Sequence, residues 1–206
     1  MTDNSPETPD PEKHKAEMKK LQEAQARKRR ELKDPERGMV LVHTGDGKGK
    51  SSSAFGVIAR ALGWGHKVAV VQFIKGKWKT GEREFFDRFP DEVHWHMMGE
   101  GFTWDTQDRE RDIKAAEAAL AKASKLIESG DYALVVLDEI NIALRYDYLT
   151  VAAVIDALET RTDSTIVLTG RNAKPELIEY ADTVTEMTEI KHAFHSGIRA
   201  QQGVDF

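Results

Sequence analysis

The chain has 206 residues, of which 40 % are hydrophobic and 32 % are charged, and its formal net charge at pH 7 is -5. This balance predicts one soluble domain of ordinary size, and no apolar run approaches the roughly 20 residues that a membrane-spanning helix needs. The chain has no cysteine, which excludes disulfides, thiolate metal ligands and thiol nucleophiles. We expect a cytoplasmic protein without a membrane span or secretory signal. The acidic net charge argues against a nucleic-acid partner.

The N-terminal segment, residues 1–36, differs in composition from the rest of the chain. Residues 1–10 are polar with two prolines, which predicts a disordered tail. A charged helix should follow, with Asp10 as its cap and Pro11 in its first turn, and should end near Pro35. Such a helix needs something to pack on, because its apolar stripe is thin; the stripe consists of Met18, Leu21, Ala24 and Leu32.

A glycine-rich loop follows the first apolar run, Val40–Val42, and precedes a segment with helical spacing. Glycines at 45, 47 and 49 let successive backbone N–H groups converge on phosphate oxygens, and a lysine beside a helix N-terminus adds positive potential. A strict Walker A pattern would place glycine where Thr44 stands. We predict a nucleotide-binding phosphate loop, against the alternative of a structural turn, formed by Thr44, Gly45, Asp46, Gly47, Lys48, Gly49, Lys50 and Ser51.

Residues 37–206 alternate short apolar runs with helical segments, which is typical of an α/β domain. Several runs are apolar on consecutive residues, as in parallel strands that are covered on both faces. The longest helix should run from Asp105 to Ser129, with Thr106 as a possible cap and Gly130 as its stop. We predict a phosphate-loop NTPase-like fold with a mostly parallel sheet and helices on both faces; its strands are Val40–Val42, Val68–Phe73, Val93–Met97, Tyr132–Leu137, Thr165–Thr169 and Thr183–Met187.

Two carboxylates, Asp138 and Glu139, end the apolar run that begins at Tyr132. A phosphate-loop fold needs an acid at this position for its metal ion, and Mg²⁺ prefers hard oxygen ligands together with water and phosphates. We therefore predict that Ser51 and one or both carboxylates hold Mg²⁺ or Mn²⁺. The alternative is that the two carboxylates only cap the next helix.

Histidines and aromatic residues form the remaining candidate sites. The pairs His94 with His96 and His192 with His195 lack a visible third ligand, so we interpret them as structural or hydrogen-bonding residues. Phe102 and Trp104 lie in a glycine-flanked segment beyond the third strand, where α/β folds bind ligands. Their rings could contact a flat hydrophobic substrate or could close the core.

Six motifs in the same order resemble the ATP:corrinoid adenosyltransferases of the phosphate-loop type, over residues 36–206. That family also has Thr-Gly before its Gly-Lys-Gly-Lys core, which accounts for Thr44, while Ser51 stands where threonine is usual. The resemblance implies transfer of the 5′-deoxyadenosyl group of ATP to cobalt of a reduced corrinoid, with release of triphosphate. The motifs are Thr44–Ser51, Val71–Gly76, Gly101–Gln107, Val136–Glu139, Thr169–Arg171 and Lys191–Phe194.

The resemblance also implies roles for individual residues. Lys50 and the loop amides would hold the triphosphate in reversed phosphate order, Glu139 would help to bind the metal without activating water, and Phe102 with Trp104 would lie under the corrinoid and displace its axial ligand. It further implies a reduced flavoprotein as electron donor and a homodimer, in which the N-terminal helix closes over an active site. No general base is expected, because Co(I) is itself a strong nucleophile.

Two other functions remain open at this point. In a phosphate-loop ATPase or small-molecule kinase, Glu139 would orient a nucleophile toward the γ-phosphate. A nucleotide-gated nucleic-acid-binding module would use the basic run Arg27–Arg30, although the net charge disfavours it and a solvated helix face is the simpler interpretation.

Overall fold

A computed structural model of the chain describes residues 10–74, 80–98 and 108–205. The chain divides into two compact units, Met1–Pro35 and Glu36–Phe206. Within the described residues, no helix is both long and apolar enough to cross a membrane.

In its described part, from residue 10 onward, the first unit contains one helix, α1 (Pro11–Glu31), as predicted. The Asp10 side chain caps it by accepting a hydrogen bond from the Glu12 N–H at 3.0 Å, and proline occupies its first position. Its last turn carries Lys28, Arg29 and Arg30, whose positive charges interact favourably with the partial negative charge of the helix C-terminus. No residue of α1 is buried.

The second unit is built on a six-stranded sheet in which every strand pair is parallel, with the order β3-β2-β4-β5-β1-β6. All six strand predictions are confirmed to within two residues at either end. Strand β5 lies between β1 and β4, which places its carboxyl end between the glycine-rich loop and the Asp-Glu pair. The strands are β1 (Val40–Thr44), β2 (Val68–Gln72), β3 (Val93–Met97), β4 (Leu134–Asp138), β5 (Thr165–Thr169) and β6 (Thr183–Glu186).

Helices cover both faces of this sheet, as predicted. Strand side chains alternate between the two faces, so strands that are apolar throughout make both faces apolar. On one face, α2 (Lys50–Gly63) buries Phe55 and Ile58 against residues that include Val70 and Val136. On the other, α4 (Arg109–Ser129) packs in a larger cluster with residues that include Val71 and Leu137. The remaining elements are α3 (Gly81–Phe86), α5 (Ile140–Arg145), α6 (Val151–Glu159), α7 (Pro175–Tyr180) and a 3₁₀ turn (Ala193–Ser196).

The predicted N-terminus of the longest helix is wrong. Helix α4 begins at Arg109, and its N-cap is Asp108, whose carboxylate accepts a hydrogen bond from the Arg111 N–H at 3.2 Å. Aspartate is a stronger cap than the predicted Thr106, which lies outside the described residues. The C-terminal prediction is confirmed, because Gly130 has φ +68° and ends the helix in the left-handed conformation.

Candidate active site

The glycine-rich loop packs against the chain that leaves β6. The Gly47 N–H donates a hydrogen bond to the Met187 carbonyl at 2.7 Å, and a β-carbon on Gly45 would lie 2.4 Å from the same oxygen. Gly45 and Gly49 have φ +94° and +111°, which other residues rarely adopt. Gly45 therefore allows close packing as well as loop curvature, Gly49 allows loop curvature, and in this conformation the Gly47 amide already has a partner.

Lys50 is the first residue of α2, and only 8 % of it is exposed. Its ammonium donates to the Gly47 carbonyl and so folds back over the loop. Burial lowers the pKa of Lys50, and the nearby positive charge of Arg171 acts in the same direction, while the negative charge of Glu139 opposes them. Burial removes water from this ammonium, and a bound polyphosphate would stabilise its positive charge in place of that water.

The two carboxylates that end β4 have different surroundings. Asp138 is 4 % exposed; its Oδ1 accepts from the Thr169 hydroxyl at 2.8 Å and its Oδ2 from the Gln72 amide at 3.0 Å. Both of its oxygens are thus already engaged by protein donors. These contacts fix the orientation of the Asp138 carboxylate at the end of β4.

Glu139 follows β4 in a left-handed conformation with φ +62°, which costs energy for a residue with a β-carbon. Its backbone N–H donates to the Thr169 hydroxyl at 2.9 Å. Burial, followed by the charge of Asp138, raises the pKa of Glu139 to about 7, although Lys50 and Arg171 act in the opposite direction. Burial therefore disfavours the ionised form of Glu139, although two positive charges lie near it.

Thr44, the residue that departs from Walker A, holds the loop after β5. Its hydroxyl accepts from the Ala173 N–H at 3.0 Å, and the neighbouring His43 carbonyl accepts from the Gly170 N–H at 3.2 Å. Arg171 lies within this loop and acts electrostatically on both Lys50 and Glu139. The hydroxyl at position 44 thus helps to fix the segment that carries a second positive charge.

Gln72, Thr169 and Arg171 are site residues for which the sequence analysis assigned no role. All three lie at or just beyond the carboxyl ends of strands β2 and β5, the edge at which parallel α/β sheets bind ligands. They lie within the motifs Val71–Gly76 and Thr169–Arg171 that carry the family resemblance, and Gln72 and Thr169 are polar residues at strand ends. Only the strand order brings these strand ends beside Asp138 and the glycine-rich loop.

The site residues fit a small hard cation whose other ligands come from the nucleotide and water. Ser51 in the first turn of α2 and Glu139 offer a hydroxyl and a carboxylate, which are the donors that Mg²⁺ prefers. Among the described residues, no cluster of three or more histidine, aspartate or glutamate side chains could hold a metal alone. A resident, all-protein metal cage is therefore not supported within the described ranges.

The predicted histidine pairs make hydrogen bonds. His94 Nδ1 lies 2.6 Å from the Tyr132 hydroxyl, and His195 Nε2 lies 2.9 Å from a carboxylate oxygen of Glu189. The interpretation as hydrogen-bonding residues is confirmed for these two. Phe102 and Trp104, in contrast, lie outside the described residues, and the role predicted for them stays a prediction.

Comparisons with known proteins agree with this geometry. The family described as "ATP:corrinoid adenosyltransferase BtuR/CobO/CobP" matches residues 36–206. The corrinoid adenosyltransferase of Pseudomonas aeruginosa is 55 % identical over 95 % of this chain and 96 % of its own length, and that of Escherichia coli K12 is 44 % identical over 83 % and 87 %. The solved structure of the flagellar accessory protein FlaH from Methanocaldococcus jannaschii has a TM-score of 0.51 at 12 % identity, over 73 % of this chain and 71 % of that one, and shares the fold alone.

Proposed function

The chain belongs to the ATP:corrinoid adenosyltransferase family, and we propose that the carboxyl edge of its sheet holds the triphosphate of ATP for attack at the ribose C5′. As an enzyme of this family it adenosylates corrinoids with ATP in cobalamin biosynthesis. The cobalt–carbon bond forms from the electron pair of Co(I), the C5′–oxygen bond breaks, and the triphosphate leaves with that bond's electrons. The observation that carries the proposal is the convergence of Lys50, Arg171 and Glu139 beside the glycine-rich loop.

The protein's main task is to stabilise the charge of the departing triphosphate. Lys50 would contact the phosphates directly, since its ammonium already lies over the loop. Loop amides other than that of Gly47 would add neutral donors, and Arg171 would add a second positive charge. Charge-assisted hydrogen bonds of this kind contribute roughly 1.5–3 kcal/mol each. No group is needed to remove a proton, because none is lost at the reacting atoms.

Ser51 and Glu139 would hold the Mg²⁺ or Mn²⁺ of the nucleotide. Asp138 would act indirectly, without contacting the metal. The metal, when bound, neutralises phosphate charge. The burial of Glu139 supports this assignment, because burial raises its pKa and a bound cation would favour the ionised carboxylate. The engaged oxygens of Asp138 support its indirect part.

The corrinoid side of the proposal rests on the family resemblance. Phe102 and Trp104 would lie against the corrinoid and displace its axial ligand, and apolar rings suit this task because they offer cobalt no donor atom. A reduced flavoprotein would supply the electron that makes Co(I), since the chain has no cysteine and no recognisable flavin motif. We further propose a homodimer and a cytoplasmic location, where ATP and such a reductase are available.

Anaerobic incubation with ATP, Mg²⁺ and chemically reduced cobalamin tests the proposal. We expect triphosphate and a light-sensitive cobalt–carbon product in equal amounts, and the Lys50→Ala variant should form neither at a comparable rate. Formation of ADP and phosphate with no corrinoid product would instead favour an ATPase or kinase.

A further inference from the structure

A continuous chain of hydrogen bonds crosses four strands of the sheet and ends at Glu139. The Trp95 indole N–H donates to Oε1 of Gln72 at 3.0 Å, and Nε2 of Gln72 donates to Asp138 at 3.0 Å. The Thr169 hydroxyl donates to the other oxygen of Asp138 at 2.8 Å and accepts from the Glu139 N–H at 2.9 Å. These hydrogen bonds run from Trp95 in the middle of β3 to the carboxyl ends of β2, β4 and β5.

Chemistry fixes the direction of every bond in this chain. An indole nitrogen and a backbone N–H can only donate, and a carboxylate can only accept, so the Gln72 amide has one possible orientation and the Thr169 hydroxyl hydrogen must point to Asp138. Asp138 and Thr169 are 4 % and 0 % exposed, so both groups are shielded from bulk water. A buried network that is satisfied in only one arrangement is rigid, and its loss leaves unpaired polar groups.

The position held by this network is a strained one. Glu139 has φ +62° and ψ +20°, a conformation that residues with a β-carbon adopt only when their surroundings impose it. The bond from its own N–H to Thr169 is the direct restraint on that backbone. The Thr169 hydroxyl restrains the Glu139 backbone through this bond. Because the side chain starts from that backbone, the same bond limits where the Glu139 carboxylate can lie.

We propose that Thr169 and Asp138 are positioning residues for the metal–nucleotide complex. Asp138 orients the Thr169 hydroxyl, and this hydroxyl fixes the left-handed backbone that directs the Glu139 carboxylate to the cation. The inference rests on the proposed part of Glu139 in cation binding. It gives Asp138 and Thr169 no direct contact with metal or phosphate, and it extends the site to a strand that lies between the loop and the Asp-Glu pair.

The test compares Thr169→Val with Thr169→Ser in the full chain. Valine keeps the shape of threonine without its hydroxyl, whereas serine keeps the hydroxyl. ATP affinity is measured by calorimetry with Mg²⁺ and again with a chelator, so that the gain in affinity due to Mg²⁺ is obtained for each variant. We expect the Mg²⁺-dependent gain in ATP affinity to be about tenfold smaller in Thr169→Val than in the wild type, which is the effect of one hydrogen bond of ordinary net strength. The metal-free affinity should be unchanged.

Thr169→Ser should restore most of the Mg²⁺-dependent gain. Equal gains in Thr169→Val and Thr169→Ser would overturn the proposal, and so would an equal loss of affinity with and without Mg²⁺. Denaturant unfolding confirms that each variant is folded. If Thr169→Val does not fold, Asp138→Asn serves instead, because its amide cannot accept from both Gln72 and Thr169, and the same loss of Mg²⁺-dependent gain is expected.

Glu139→Gln separates this inference from the proposal on which it rests. If Glu139→Gln keeps the full Mg²⁺-dependent gain, Glu139 is not a cation ligand and the proposed site fails. If Glu139→Gln loses the gain while Thr169→Val keeps it, only the positioning role is wrong. These binding readouts need no corrinoid, so they do not depend on the adenosylation assay.

Discussion

Gly170 packs directly against the carboxylate of Glu139: a β-carbon built on Gly170 would lie 3.2 Å from Oε2 of Glu139 and 2.9 Å from Cβ of Asn141. Its φ of +125° is also one that other residues rarely adopt. Asn141 reinforces this contact, because its amide donates to the Gly170 carbonyl at 3.1 Å. The loop after β5 and the turn after β4 thus form one closely packed unit at the proposed cation site.

Gly170→Ala should therefore impair both stability and turnover. We expect the free energy of unfolding to fall by about 1–3 kcal/mol, from overpacking together with the unfavourable φ, and adenosyl transfer to fall because Glu139 is displaced. Denaturant unfolding and steady-state kinetics measure the two effects. Gly56→Ala is the control, since a β-carbon at this exposed position of α2 meets no atom within 4 Å; it should stabilise the helix slightly. Wild-type stability in Gly170→Ala would contradict the packing described.

Lys50→Met should change ATP affinity and stability in opposite directions. Without phosphate, the buried ammonium is a cost to folding, as the lowered pKa of Lys50 indicates. We therefore expect the ligand-free variant to unfold at the same or higher denaturant concentration, while ATP binding weakens by at least about a hundredfold, the equivalent of one or two charge-assisted bonds. Calorimetry and denaturant unfolding give both values.

Lys48→Met provides the comparison within the same loop. The Lys48 side chain is 53 % exposed and forms an ion pair with Asp205, so its removal should weaken ATP binding less than the loss of Lys50. Equal losses in the two variants would mean that burial of the ammonium does not distinguish their parts in binding.

Much of this architecture follows from local sequence pattern. Consecutive apolar residues, as in Val68–Val71, predicted the buried parallel strands, and the glycine spacing before Lys50 predicted the phosphate loop. These features are local, because a strand buried on both faces must be apolar throughout and a loop that curves this tightly needs glycine.

The parts that sequence reasoning could not reach depend on contacts between distant segments. That β5 separates β1 from β4 is a property of the whole sheet, and without it Thr169 has no reason to meet Asp138. From sequence alone, Asp138 and Glu139 are two equivalent carboxylates. Only the hydrogen-bond donors around them distinguish the two. The sequence predicts the cap of α4 two residues too early, because several polar residues precede the helix and only the folded chain selects Asp108.

Glu139→Gln should stabilise the ligand-free protein at high pH and not at low pH. The pKa of Glu139 in the folded state is raised from 4.5 to about 7, so between these values the folded chain holds a proton that the unfolded chain has lost. Stability of the wild type therefore falls as pH rises through this window. We expect Glu139→Gln to be more stable at pH 8, by up to about 3 kcal/mol, and equal to the wild type near pH 4.

Chelator-treated protein unfolded by denaturant at several pH values checks this dependence. Glu128→Gln, at an exposed position of α4, is the control for the removal of one glutamate carboxylate. A Glu139→Gln profile parallel to that of the wild type would mean that Glu139 titrates normally in the folded chain.

Arg161→Met should destabilise the fold without weakening ATP binding. Arg161 is 5 % exposed and donates to the carbonyls of Gly38 and Leu158 and to the Tyr180 hydroxyl. Methionine leaves these buried acceptors without their charged donor, which should lower the free energy of unfolding by roughly 2–4 kcal/mol. Arg60→Met, at an exposed position of α2, should have little effect. A loss of ATP affinity as large as the loss of stability would contradict a purely structural role.

Trp104→Ala should distinguish two stages of the corrinoid chemistry. An axial donor raises the cobalt orbital that must accept the incoming electron, so an apolar ring that excludes the donor makes Co(II) easier to reduce. We expect turnover that starts from Co(II) corrinoid and a reducing partner to fall by tenfold or more, equivalent to about 1.4 kcal/mol, while turnover from chemically prepared Co(I) changes much less. Trp64→Ala is the control, because Trp64 is 79 % exposed and follows α2. Equal losses from Co(II) and Co(I) would mean that Trp104 serves packing or substrate binding, and the exclusion of the axial ligand would then need another residue.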